Sequence, residues 1–183
     1  MDILFRECVQ EFGGATAYHN FILNELGASS LKYRPEYLIF GDGMRLIMQG
    51  DKNKLYEIRL TPYTDYDFEC NLYDYDYIEP DFMIFRKSDC KLNSRQNRVA
   101  GLPALIVEVW SKSNTREARH YKKYLYSTAS IIEHWYIEQN SNEIECYLGK
   151  NKISPQSLSV PAKTTFGLEL DLTPVSLENR IKI

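Results

Sequence analysis

The sequence predicts an α/β or α+β layered domain, and three observations carry that reading. Two apolar runs of strand length, PDFMIF at 80–85 and PALIVEVW at 103–110, each begin with proline and hold a single acid. Near-continuous runs of this kind fit strands covered on both faces, as in the middle of a sheet between helices. A segment of helical period, SNTREARHYKKYLYSTAS, follows the second run. Three more strand-like segments then close the chain: HWYIE at 134–138, IECYL at 144–148 and FGLELDL at 166–172. With a helix at the front, the order becomes helix, strands, helix, strands.

That front helix is expected over Ala15–Leu26, where Phe21, Ile22 and Leu26 recur at helical spacing, with Gly27 as its C-terminal stop. The segments YLIF at 37–40 and RLIMQ at 45–49 flank Gly41-Asp42-Gly43 and read as an extra N-terminal strand pair joined by a tight turn. From 64 to 81, TDYDFECNLYDYDYIEPD alternates acids with aromatics in two phases, which a turn or bulge near Asn71 to Tyr73 reconciles. Its seven carboxylates admit a metal-binding reading; alternation of this kind more commonly marks a strand with one wet face. In the second helix, Asn114 followed by Glu117 resembles a capping box, and Ala118, Tyr121, Leu125 and Ala129 form an apolar stripe. No repeat and no Pro/Gly/Ser-rich linker divides the chain, so residues 1–183 are expected to form a single domain.

The bulk numbers agree with one domain. A chain of 183 residues, 44% apolar, buries a genuine core. No apolar run is long enough to cross a bilayer, and MDILFRECVQEF lacks the apolar stretch of a secretion signal, so the expected location is cytoplasmic with no membrane partner. Cys8, Cys70, Cys90 and Cys146 form no CxxC pair, which argues against a zinc knuckle or a disulfide scaffold. A net charge of −3 argues against a generic basic coat for nucleic acid. Positive charge is concentrated instead in two stretches, a loop expected from Arg86 to Arg98 and the segment from Lys112 to Lys123. Each is either a solvated surface or a local nucleic-acid patch.

Three residues carry the candidate chemistry. Glu108 lies inside LIVEVW, where alternation places it on the same face as Ile106 and Trp110. A buried carboxylate costs several kcal/mol unless it is paired or holds a metal; the plain alternative is a strand-end glutamate reaching water or an arginine. Asp81 begins the preceding strand, and if the two strands are neighbours both acids converge on one edge; otherwise it simply caps a turn after Pro80. Lys122 falls within the apolar stripe, four residues after Ala118 and three before Leu125, whereas Lys123 points elsewhere. Lys122 either meets the two carboxylates or snorkels to water. Together the three suit phosphodiester hydrolysis. Asp81 and Glu108 hold Mg²⁺ or Mn²⁺, the Val109 carbonyl is a candidate further ligand, and Lys122 orients the metal-activated water or stabilises charge on the phosphate.

The run Glu79-Pro80-Asp81, then Leu105 through Ser111, then Lys122, Tyr126 and Glu133-His134-Trp135-Tyr136-Ile137, resembles the Uma2 family, also called DUF820. The likeness extends to Thr165 through Leu172, and His19 matches a position where that family often has histidine. The resemblance implies a restriction-endonuclease-like PD-(D/E)XK core, with a central mixed β-sheet flanked by helices. It also implies an endonuclease acting on DNA, bacterial in origin, with homodimerisation where both strands of a duplex are cut. The parent motif sets lysine two residues after the glutamate, where this chain has Trp110; the family takes it from the following helix, which falls on Lys122. The alternative is a non-catalytic module that binds nucleic acid or protein on the same fold.

Overall fold

The computed structural model describes residues 14–49, 59–60, 77–94, 97–111 and 114–180. The acidic and aromatic alternation of 64–81 therefore lies largely outside the described residues, as do Cys8 and Cys70.

The first helix, α1, spans Gly14–Ser30. Its inward row is Tyr18, Ile22, Leu26 and Ser30, four residues apart and all buried. Gly27 does not stop it. Ser30, fully buried, donates its hydroxyl to the Gly27 carbonyl at 2.9 Å, so one more turn is held in place against the weak helix propensity of glycine.

The two strands expected after α1 form where the pattern places them, as β1 (Tyr37–Phe40) and β2 (Arg45–Gln49), but they do not pair with each other. β1 lies antiparallel to β5 (Phe82–Arg86) in the main sheet. β2 enters a second sheet, parallel to β7 (Arg98–Gly101) and antiparallel to β3 (Arg59–Leu60) and β4 (Tyr77–Ile78). The turn at 41–44 thus joins two sheets. The physical reason lies in the partners: β1 finds the apolar β5, and Leu46 finds the buried Val99 and Ile78.

The expected basic loop from Arg86 to Arg98 contains a strand instead. β6 (Cys90–Asn93) pairs antiparallel with β7, and the return is close enough that a Cβ on Gly101, whose φ is 129°, would sit 2.2 Å from the Asp89 carbonyl oxygen. Only glycine fits there.

The main sheet runs β1-β5-β8-β9-β10-β11, with β12 also on β10; β8 is Leu105–Trp110, β9 Glu133–Glu138, β10 Glu143–Leu148, β11 Asn151–Lys152 and β12 Gln156–Ser157. β8 and β9 are parallel and the other pairs antiparallel, so the sheet is mixed. Every residue of β8 is buried, as its near-continuous apolar run predicts. The parallel pair needs a crossover, and α2 (Arg116–Ser127) supplies it. Its N-cap is Thr115, whose hydroxyl accepts from the Ala118 amide, and not Asn114, whose side chain turns back to the Ser111 amide at 2.7 Å. The buried face of α2 is also rotated from the expected stripe: Leu125 and Tyr126 are buried and Ala118 is exposed. The closing strand is short. Thr164 to Leu168 form a turn around Gly167, leaving β13 (Ala162–Lys163) paired with β14 (Glu169–Leu170).

Two apolar layers result. α1 covers one face of the main sheet through Phe82, Leu105, Val107, Val109 and Trp135. α2 covers the other through Met83, Phe85, Ile106, Trp110 and Tyr136. The two helices approach the start of β5 from opposite faces.

Candidate active site

The antiparallel register between β5 and β8 pairs Phe82 with Val107, which brings Asp81 opposite Glu108. The convergence that the two apolar runs predicted depends on this pairing, and the strands are neighbours. Asp81 accepts a hydrogen bond from the Val109 amide through Oδ2 at 2.7 Å, and His19 of α1 lies 3.4 Å from its Oδ1. That contact raises the His19 pKa, against the opposing effect of burial.

Glu108 is 1% exposed. Lys122 donates to its Oε2 at 2.6 Å and Tyr126 donates to its Oε1 at 2.5 Å. Lys122 and Tyr126 are four residues apart on α2, so one helical face delivers both. Lys122 also donates to the Glu79 carbonyl at 3.3 Å, which ties α2 to the segment leading into β5. Burial pushes the Glu108 carboxyl up to about 7; the Lys122 ammonium opposes the rise and the Asp81 charge adds to it. The Tyr126 phenol, fully buried beside that carboxylate, is driven well above its ordinary range.

Asp81, Glu108 and Lys122 thus come together where the central strand β5 begins, with the Val109 amide on Asp81. Lys123 goes elsewhere, to Glu145, with its ammonium 4.7 Å from the Tyr136 ring centre. Among the described residues no three His, Cys, Asp or Glu side chains cluster as a metal set. The oxygens on offer are two carboxylates and backbone.

A family model described as "Uma2: Putative restriction endonuclease" matches residues 50–176, more than half of the chain. The chain belongs to the Uma2 family. A solved structure from Anabaena variabilis, described as a "putative nuclease belonging to DUF820", is similar with a TM-score of 0.55 at 11% identity, over 89% of this chain and 82% of that one. At that identity the likeness shows the fold, which is the restriction-endonuclease-like mixed sheet with its flanking helices. No curated protein matches.

Within this Uma2 chain the geometry adds two partners to the three predicted residues. Tyr126 stands one turn after Lys122 and so was readable as part of the same face. His19 is 62 residues before Asp81 in sequence, and no periodicity links the two; only the resemblance pointed to it. Among the described residues no helix is long and apolar enough to cross a membrane.

Proposed function

We propose that this chain is a divalent-metal-dependent endonuclease that hydrolyses phosphodiester bonds of DNA. The observation that carries the reading is a buried glutamate, held by a lysine and a tyrosine, opposite an aspartate on the neighbouring strand. The donor set fits a hard cation. Mg²⁺ and Mn²⁺ take oxygen ligands, usually one or two carboxylates with waters and substrate phosphate oxygens completing the shell. A strand residue directs its N–H and C=O to the same side, so the Val109 carbonyl, like its amide, faces the Asp81 edge. Asp81, Glu108 and Val109 are accordingly the proposed ligands. When bound, the metal supplies a water of lowered pKa and neutralises charge on the phosphate.

The protein's own groups do the rest. His19 and the Val109 amide fix the two oxygens of Asp81. Tyr126 fixes the rotamer of Glu108. Lys122 spends two donors on Glu108 and the Glu79 carbonyl, and an ammonium has three. The third is the donor for a phosphate oxygen as negative charge develops there.

The test is metal-dependent cleavage of plasmid and of single-stranded DNA. We expect it to be lost in Asp81→Ala, Glu108→Ala and Lys122→Ala, and full activity in Glu108→Ala contradicts the reading. A second reading has one observation on its side: Lys122 and Tyr126 already satisfy Glu108, as they would in a module that keeps the fold and only binds nucleic acid or protein. Calorimetry with no Mg²⁺ or Mn²⁺ binding, and DNA still bound, favours that module.

The same proposal takes residues 1–183 as a single cytoplasmic domain that dimerises to cut both strands of a duplex. Light scattering at several concentrations tests the dimer.

A further inference from the structure

A cleft rich in cations lies beside the candidate active site. Trp110 is two residues beyond Glu108 on the same face of β8, about 6.6 Å along the strand, and it floors a cleft of about 350 Å³. The cleft wall is one face of α2, where Arg116, Arg119, His120 and Lys123 stand at helical spacing. Two of these cations are fixed in place. Arg119 donates to Glu138 and to the Ser111 carbonyl and lies over the Trp110 ring at 4.8 Å. Lys123 is bound by Glu145 and lies 5.1 Å from the centre of the same ring. Burial works against the Glu145 carboxylate, yet Lys123, Tyr147 and Lys152 outweigh it and hold its pKa at about 2.

The other two cleft residues are different. Arg116 and His120 are exposed at the rim, and neither has a hydrogen-bond or ion-pair partner among the described residues. Arg116 also opens the helix, where the first-turn amides favour an anion. The buried Nε of Arg119 has no acceptor among the described residues. Glu138 and Glu145 set the directions of the fixed cations without neutralising the rim, so the cleft has donors in excess of acceptors.

We propose that this cleft is a phosphate subsite for the nucleic-acid strand, taking a backbone phosphate next to the one held at Asp81 and Glu108. It rests on the nuclease reading. Arg116 and His120 are its contacts, and Arg119 and Lys123 set the field around them. Because the contacts are to phosphate, the subsite positions the strand without reading its sequence.

The experiment is anisotropy of a short fluorescein-labelled single-stranded DNA, titrated in EDTA over a series of KCl concentrations. Arg116→Ala is expected to weaken binding roughly 5- to 10-fold and to reduce the log–log salt slope by about 0.7, the increment for one lost phosphate contact on a single strand. Arg116→Ala/His120→Ala is expected to go further. Lys163→Ala, an exposed lysine outside the cleft and outside both basic stretches, is expected to leave both quantities at wild-type values. Emission from Trp110 should change on binding, since Trp135 is fully buried elsewhere. Wild-type affinity and slope in Arg116→Ala/His120→Ala overturn the proposal, as does a wild-type protein that binds no DNA. Inorganic phosphate that saturates the Trp110 response without displacing DNA also overturns it, in favour of a free-phosphate site. Cleavage by Glu108→Gln decides the nuclease reading separately, because Glu108 does not line the cleft.

Discussion

Glu108 and Glu133 are both buried glutamates on adjacent parallel strands of one sheet, and they are solved in opposite ways. Glu133, on the α1 side with Trp135, is fully buried and accepts from neutral donors: the Trp135 indole at 2.7 Å, and the Thr165 amide and hydroxyl at 2.6 Å each. Glu108, on the α2 side, is met by an ammonium and a phenol and faces a second carboxylate across the strand pair. Glu133 straps the C-terminal turn to the sheet. Burial of an acid therefore does not mark a reactive site by itself. The kind of partner is what differs: Glu133 is closed off by fixed neutral donors, whereas Glu108 is met by a partly exposed ammonium and has a second acid opposite.

The largest expected effect separates the two by activity. Glu108→Gln should lower metal-dependent cleavage by at least about 10³-fold, the scale of losing a central electrostatic group, while Glu133→Gln should stay within several-fold of wild type. Equal losses in both variants erase the distinction. Stability should show the reverse order. Glu133→Ala strands three donors and should cost roughly 3 kcal/mol, or about 6 to 12 °C in melting temperature. The double variant Glu108→Gln/Lys122→Met, which removes a buried pair together, should melt within about 3 °C of wild type or above it.

The pH dependence sharpens the contrast further. With its folded pKa raised to about 7 by burial, Glu108 binds a proton in the folded state that the unfolded chain has already released. Its contribution to stability is therefore full below about pH 4.5 and is lost as pH rises toward 7. Measured in EDTA, the stability gap between Glu108→Gln and wild type should widen in favour of the variant over that window, by about 1 to 3 kcal/mol. A gap that narrows reverses the sign and removes burial as the cause. Smallest is Tyr126→Phe, which deletes one hydrogen bond to Glu108 and should cost about 1 kcal/mol, with a roughly tenfold loss of cleavage from the freed carboxylate.

Much of this was legible in the sequence where local pattern and tertiary partner agree. The β8 run was readable because a strand covered on both faces needs no alternation, and the acid at 108 stood out against it. Lys122 was readable because the helical stripe and the family resemblance both select it, although the stripe itself is rotated and Lys123 also packs on the sheet, over Trp110 and Tyr136. Pairing was less so: Gly41-Asp42-Gly43 predicts a hairpin, yet the strands on either side find better apolar partners far along the chain. Gly27 was misleading for a similar reason, since the buried Ser30 beyond it rewards another helical turn. The Thr115 cap hides behind Asn114, which ranks higher as an N-cap, and the return bond from the Ser111 amide to Asn114 leaves the cap to Thr115. His19, on α1, and Asp81, at the start of β5, are far apart in sequence and meet only in the tertiary fold.

Crystals soaked in Mn²⁺ and measured at the manganese absorption edge address the shared ion itself. The expected anomalous peak lies between the Asp81 and Glu108 carboxylates, within coordinating reach of the Val109 carbonyl and with Lys122 beside the bound water. Saturating Mn²⁺ with no peak at that edge, and Lys122 still closed on Glu108, contradicts a metal centre there.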